Sequence, residues 1–86
     1  VVLVCHLPHL YLVINVKDEK YLRDFGKNFR KLRLAKNMSQ EALGNEAGIG
    51  KNQVGLIERG EINVTICTIK KIAKNLGYEP KDFLDF

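Results

Sequence analysis

The stretch SQEALGNEAGIGKNQVGLIERG, residues 39–60, leaves few folds open. It holds two short helical patterns hinged on a glycine, each too short to be stable alone in water. Both must lean on a core supplied by the rest of the chain. The second pattern presents Lys51, Asn52, Gln53, Gly55 and Leu56 on a face that does not belong to that core. A helix spent on amides and a glycine, inside an otherwise apolar helical domain, asks for a purpose.

The flanking sequence supplies the core. Leu22, Phe25, Phe29 and Leu32 fall on one stripe at the helical period, which predicts a helix over 21–36 with Asn37 as its stop. Ser39 caps a second helix, 40–47, with Glu41 in the first turn, where the helix dipole favours an anion. Leu43 and Ala47 form its buried face. Gly48 ends it in the left-handed conformation, and Ile49 packs beneath the turn. Gly50 stands where the third helix, 51–59, should be capped; Val54 and Ile57 point inward and Gly60 closes it. After a loop at 61–64, Thr65 caps a fourth helix with an apolar stripe of Ile66, Ile69, Ile72, Ala73 and Leu76, closed by Gly77. Pro80 suits the first position of a last short helix, with Phe83 and Leu84 packing back. The fold class is all-α.

Bulk properties narrow the function. Eighty-six residues make one domain, which buries only about 60% of its unfolded surface and leaves little room for an enclosed cleft. No nucleophile, zinc-protease or phosphate-loop motif is present, nor a carboxylate pair with a cleft to work in, so no enzyme is expected. A net charge of +4 and a pI near 9.2 are compatible with an anionic partner. Cys5 and Cys67 make no disulfide framework and fit a reducing, cytoplasmic setting. Cys5, His6 and His9 have ligand-like spacing, but three ligands so close, with Pro8 among them, form an incomplete site. No metal and no other cofactor is expected, and Cys67 reads as a core residue.

Composition divides the chain at residue 16. Residues 1–16, VVLVCHLPHLYLVINV, carry no Lys, Arg, Asp or Glu, and every charge lies in 17–86, the helical domain. The leader is shorter than the roughly 20 residues a membrane-spanning helix needs and lacks the marks of a signal peptide, so no membrane association is expected. Residues 10–16 are β-branched and aromatic enough for a strand, with no partner strand inside the chain. Three readings stand for the leader: a strand pairing between subunits, a disordered tail, or extra coding from an upstream start. Ordered pairing is favoured.

Two short helices joined by a glycine-containing turn make a helix-turn-helix unit. In that geometry the second helix of the domain crosses the duplex backbone and the third enters the major groove, about 12 Å wide. Asn and Gln read adenine there, and Lys reads guanine. Lys51, Asn52 and Gln53 occupy the first turn, nearest the bases, and Leu56 one turn on can touch a thymine methyl. Gly55 offers no obstruction to close approach.

At this point FGKNFRKLRLAKNMSQEALGNEAGIGKNQVGLIERGE resembles the lambda-repressor/Cro-like, XRE-type helix-turn-helix domain, over about residues 22–85. The strongest elements are LR at 32–33, SQEAL at 39–43, AGI at 47–49 and IERGE at 57–61, with IAKNLG at 72–77 in support. The resemblance implies five helices around one core. It also implies a homodimer on a pseudo-palindromic double-stranded operator, and transcriptional regulation, with repression favoured, in the nucleoid. It places Lys51, Asn52, Gln53 and Leu56 at base-reading positions. It makes Gln40, which would also touch the recognition helix, Arg59 and Asn63 phosphate contacts, and Arg33 and Glu58 a structural salt bridge. Gly44, Gly50, Gly55 and Val64 depart from the family pattern, where Ala, Ser or Thr, Ser and Pro are frequent; Gly44 in mid-helix should cost about 1 kcal/mol. Lys27, Arg30, Lys31 and Lys36 read mainly as solubilising charges. A second reading is a protein-interaction module, such as an antitoxin binding a toxin partner, with the leader as its working surface.

Overall fold

The computed structural model describes residues 17–86, so the readings placed on the leader at 1–16 lie outside the described residues. Four α-helices, α1 (Glu19–Ala35), α2 (Gln40–Ala47), α3 (Lys51–Glu58) and α4 (Ile66–Leu76), are followed by a 3-10 helix, Pro80–Leu84. The all-α expectation and the order of its elements hold. The first helix starts two residues earlier than its apolar stripe announces, because Asp18 caps it by accepting the Tyr21 N–H at 3.0 Å. It ends at Ala35, and Asn37 turns the chain with a positive φ of 58°. The last helix is 3-10 rather than α: the Asp82 carboxylate accepts from the Glu79 N–H at 2.9 Å and winds the turn tightly behind Pro80.

The caps and stops explain where each short helix begins and ends. The Ser39 hydroxyl accepts from the Ala42 N–H at 2.9 Å, and the Thr65 hydroxyl from the Thr68 N–H at 3.2 Å. Gly48 and Gly77 close α2 and α4 in the left-handed region, with φ of 73° and 81°. The core runs through the centre of all the elements: Phe25, Phe29, Leu43, Ala47, Val54, Ile57, Ile72, Ala73, Leu76 and Phe83. Asn28 binds the 3-10 helix to α1, its Nδ2 donating to the Asp82 and Phe83 carbonyls at 3.0 and 3.1 Å. The Tyr78 hydroxyl donates to the Leu32 carbonyl at 3.0 Å.

Three side chains do not lie where the apolar pattern puts them. Ile66, the first residue of α4, is 82% exposed and borders a surface hollow with Lys70, Lys74 and Tyr78. Cys67 is exposed, not a core residue; at 100° per residue it lies on the side of α4 opposite Ile72 and Leu76. Phe83 is buried, but its neighbour Leu84 is half exposed.

Gly26 and Gly44 matter for reasons that helical periodicity does not reveal. A β-carbon on Gly26 would stand 2.4 Å from the Glu58 carbonyl oxygen and 2.6 Å from that of Ile57, so α1 meets the end of α3 backbone to backbone. A β-carbon on Gly44 would stand 2.8 Å from the Ile49 carbonyl oxygen. The glycine in α2 is therefore more than a loss of helix propensity: it lets the turn fold back tightly on the helix. Gly26→Ala is expected to lower stability by about 1–3 kcal/mol despite alanine's better helix propensity. Gly50→Ser, at a position with nothing within 4 Å, should leave stability unchanged or slightly raised. Urea unfolding midpoints of the two variants check both.

Candidate nucleic-acid interface

The third helix has only eight residues and is held from behind. Val54 and Ile57, three residues apart, are essentially fully buried and fasten it to the core. Opposite them, Lys51, Asn52 and Gln53 are exposed on the first turn, and Leu56 is partly exposed one turn later. Gly50 gives this helix no side-chain cap, and no acid lies in its first turn. The single acid of α3 is Glu58, which is buried.

Glu58 is the hub of the helix-turn-helix. Its carboxylate accepts from Arg33 Nε at 2.5 Å and from Arg33 Nη2 at 3.1 Å, a bidentate pair with both side chains about 95% buried. Gln40 Nε2 donates to Glu58 Oε1 at 3.0 Å, and Arg30 Nη1 lies 3.6 Å from the same oxygen. Arg33 has one more partner, the Met38 carbonyl, which accepts from Nη1 at 2.6 Å. One arginine and one glutamate thus tie α1, the turn before α2, the start of α2 and the end of α3. Among the described residues no buried side-chain polar atom lacks a partner.

Gln40, Lys51, Asn52, Leu56 and Arg59 line one concavity between α2 and α3, floored by Gly55. Gln53 is exposed on the first turn but does not line it, and Asn63 borders a different hollow, with Leu22, Val64 and Leu84 among its walls. Gln40 spends one amide hydrogen on Glu58 and keeps a second. Gly55 is not an open gap, contrary to expectation. Arg59 folds back over it, with Nη1 3.0 Å from where a β-carbon would stand, and Arg59 Nε donates to Glu61 Oε2 at 2.6 Å.

Lys27, Arg30, Lys31 and Lys36 are all exposed, as solubilising charges would be. Arg30 sits beside Glu58, and the Lys36 ammonium lies 4.9 Å from the Tyr78 ring centroid, a cation–π contact. Sequence reasoning missed the parts played by Gly26, Arg30, the Met38 carbonyl and the Arg59–Glu61 pair. The spacing of Arg30 and Arg33, one turn apart on α1, was the one available signal.

A family model described as Helix-turn-helix (HTH_3) matches residues 29–83. The chain is similar to the control protein C.BamHI of Bacillus amyloliquefaciens, 49% identical over 63 residues that span 72% of this chain and 78% of that protein. It is 40% identical over 51 residues to the control protein C.SmaI of Serratia marcescens, spanning 59% of this chain and 61% of that one. Among solved structures, the restriction-modification controller protein C.AhdI from Aeromonas hydrophila superposes with a TM-score of 0.70 at 42% identity, covering 72% of this chain and 94% of that one.

Removal of Glu58 leaves Arg33 buried without its counter-charge. Glu58→Ala should cost about 3–5 kcal/mol, whereas Glu61→Ala, at an exposed pair, should cost less than about 1 kcal/mol. Thermal melting of the two variants beside the parent chain measures the contrast.

Proposed function

The chain belongs to the helix-turn-helix family (HTH_3) and is a DNA-binding transcription regulator, and from that premise we propose how it reads DNA. It inserts the first turn of α3 into the major groove. Lys51, Asn52, Gln53 and Leu56 address base edges, and Gln40, Arg59 and Asn63 contact the flanking phosphates. The observation that carries this reading is the orientation of α3: Val54 and Ile57 are buried while Lys51, Asn52 and Gln53 stand exposed. Amides and an ammonium are the groups that match adenine and guanine edges bidentately or by point charge. The second hydrogen of Gln40 Nε2, beyond the one given to Glu58, suits a phosphate oxygen.

The protein works as a homodimer in the cytoplasm, on the nucleoid, by binding and not by catalysis. Its two reading helices enter successive major grooves about 34 Å apart on a pseudo-palindromic operator. Among the described residues no helix is long and apolar enough to cross a membrane. The similarity to two control proteins and to a restriction-modification controller supports a narrower role: control of the expression of a restriction-modification system.

Selection of bound sites from random duplex DNA is the direct test. It should return a two-fold symmetric site bound by two chains; recovery of no common sequence would refute operator reading. On that site, Asn52→Ala or Gln53→Ala should relax preference at one base pair by about 1–3 kcal/mol, read by titration against single-base variants.

A further inference from the structure

Arg59 and Glu61 stand at the end of α3, both side chains more than half exposed. An exposed ion pair does little for stability. Its geometric consequence is larger. Arg59 is turned back along α3, so that Nη1 and Cζ lie 3.0 and 3.8 Å from where a β-carbon on Gly55 would stand, with Gln40 Oε1 3.6 Å from the same point. The guanidinium thereby joins Gln40, Lys51, Asn52 and Leu56 in one concavity. Glu61 takes the Nε hydrogen and leaves the four Nη hydrogens to other partners.

We propose that Glu61 is a positioning residue for operator recognition: it holds the Arg59 guanidinium over Gly55, on the DNA-facing concavity of α2 and α3. The inference rests on the reading of Arg59 as a DNA contact. An arginine that is free in solution loses rotamer freedom when it binds; one already clamped has met that cost on folding. In the aligned complex on the selected site Arg59 meets its phosphate at one fixed place, so Glu61 favours that complex over the loosely registered one on an unrelated duplex, even though its charge repels phosphate. Simple electrostatics gives the opposite sign, because removing a carboxylate beside the interface should tighten binding to every duplex.

The sign of the effect is the test. The full chain and its Glu61→Ala, Arg59→Ala, double and Gly55→Ala variants are titrated, at one salt concentration, against the duplex recovered by selection and an unrelated duplex of equal length. Glu61→Ala is expected to weaken binding to the selected duplex by roughly three- to tenfold, with affinity for the unrelated duplex held or raised. The double variant should bind no worse than Arg59→Ala alone. Gly55→Ala, whose β-carbon crowds Nη1, should lose discrimination in the same way while remaining folded. If Arg59→Ala weakens binding but Glu61→Ala binds the selected duplex as tightly as the parent, or more tightly, the positioning role is overturned and Arg59 stands as a contact. Additive losses in the double variant overturn it as well, and parental discrimination in Gly55→Ala overturns the placement over Gly55. Parental affinity in Arg59→Ala overturns the contact on which the inference rests.

Discussion

The buried pair of Arg33 and Glu58 is the interaction on which the rest of the domain depends. Taking two charges out of water is expensive, and a bidentate contact returns that cost only when the remaining hydrogen-bonding capacity is also met. Here it is met: the Met38 carbonyl takes a further hydrogen of Arg33, and Gln40 supplies one to Glu58. The net gain in stability is small by nature. What the arrangement secures is geometry, because Arg33, the Met38 carbonyl, Gln40 and Glu58 come from four different segments.

That constraint needs α1 and the end of α3 to come unusually close. Gly26 permits it on one side of the crossing, where a side chain would strike the Ile57 and Glu58 carbonyls. Gly60 permits it on the other, with a φ of 71° and backbone atoms of Arg23 2.7 Å from where its β-carbon would be. Two glycines far apart in sequence thus serve one contact. The Arg33–Glu58 pair spans the same approach, so backbone proximity and charge pairing support each other.

A helix of eight residues has too few internal hydrogen bonds to persist alone. α3 is stable because one side carries Val54, Ile57 and Glu58 into the interior. Its opposite side is thereby released from any packing duty. The fold asks nothing of Lys51, Asn52 and Gln53, which are exposed to whatever meets this side of the helix. The same division continues at the far end of the helix, where Glu58 is buried and Arg59 is exposed.

Much of this was legible in the chain itself, because caps, stops and apolar periods act through near neighbours. Ser39, Thr65, Gly48 and Gly77 place the ends of α2 and α4 by local hydrogen bonding and backbone freedom, and the Val54–Ile57 spacing tells which side of α3 is buried. Periodicity says which way a side chain points but not whether anything lies there to cover it. Ile66 belongs to the apolar stripe yet is exposed beside Lys70 and Lys74, and Cys67 lies on the other side of its helix. Gly44, Gly55 and Gly26 look alike as residues, yet they meet a turn backbone, an arginine side chain and a neighbouring helix. The sequence by itself determined the helices, their order and the outward amides of α3, since these follow from interactions within a few residues. The family resemblance pairs Arg33 with Glu58 and sets Gln40 against the recognition helix; only the tertiary structure decided that Gln40 and Arg30 both meet the Glu58 carboxylate, and that Arg59 lies over Gly55. Those contacts depend on distances between segments, which no local propensity encodes.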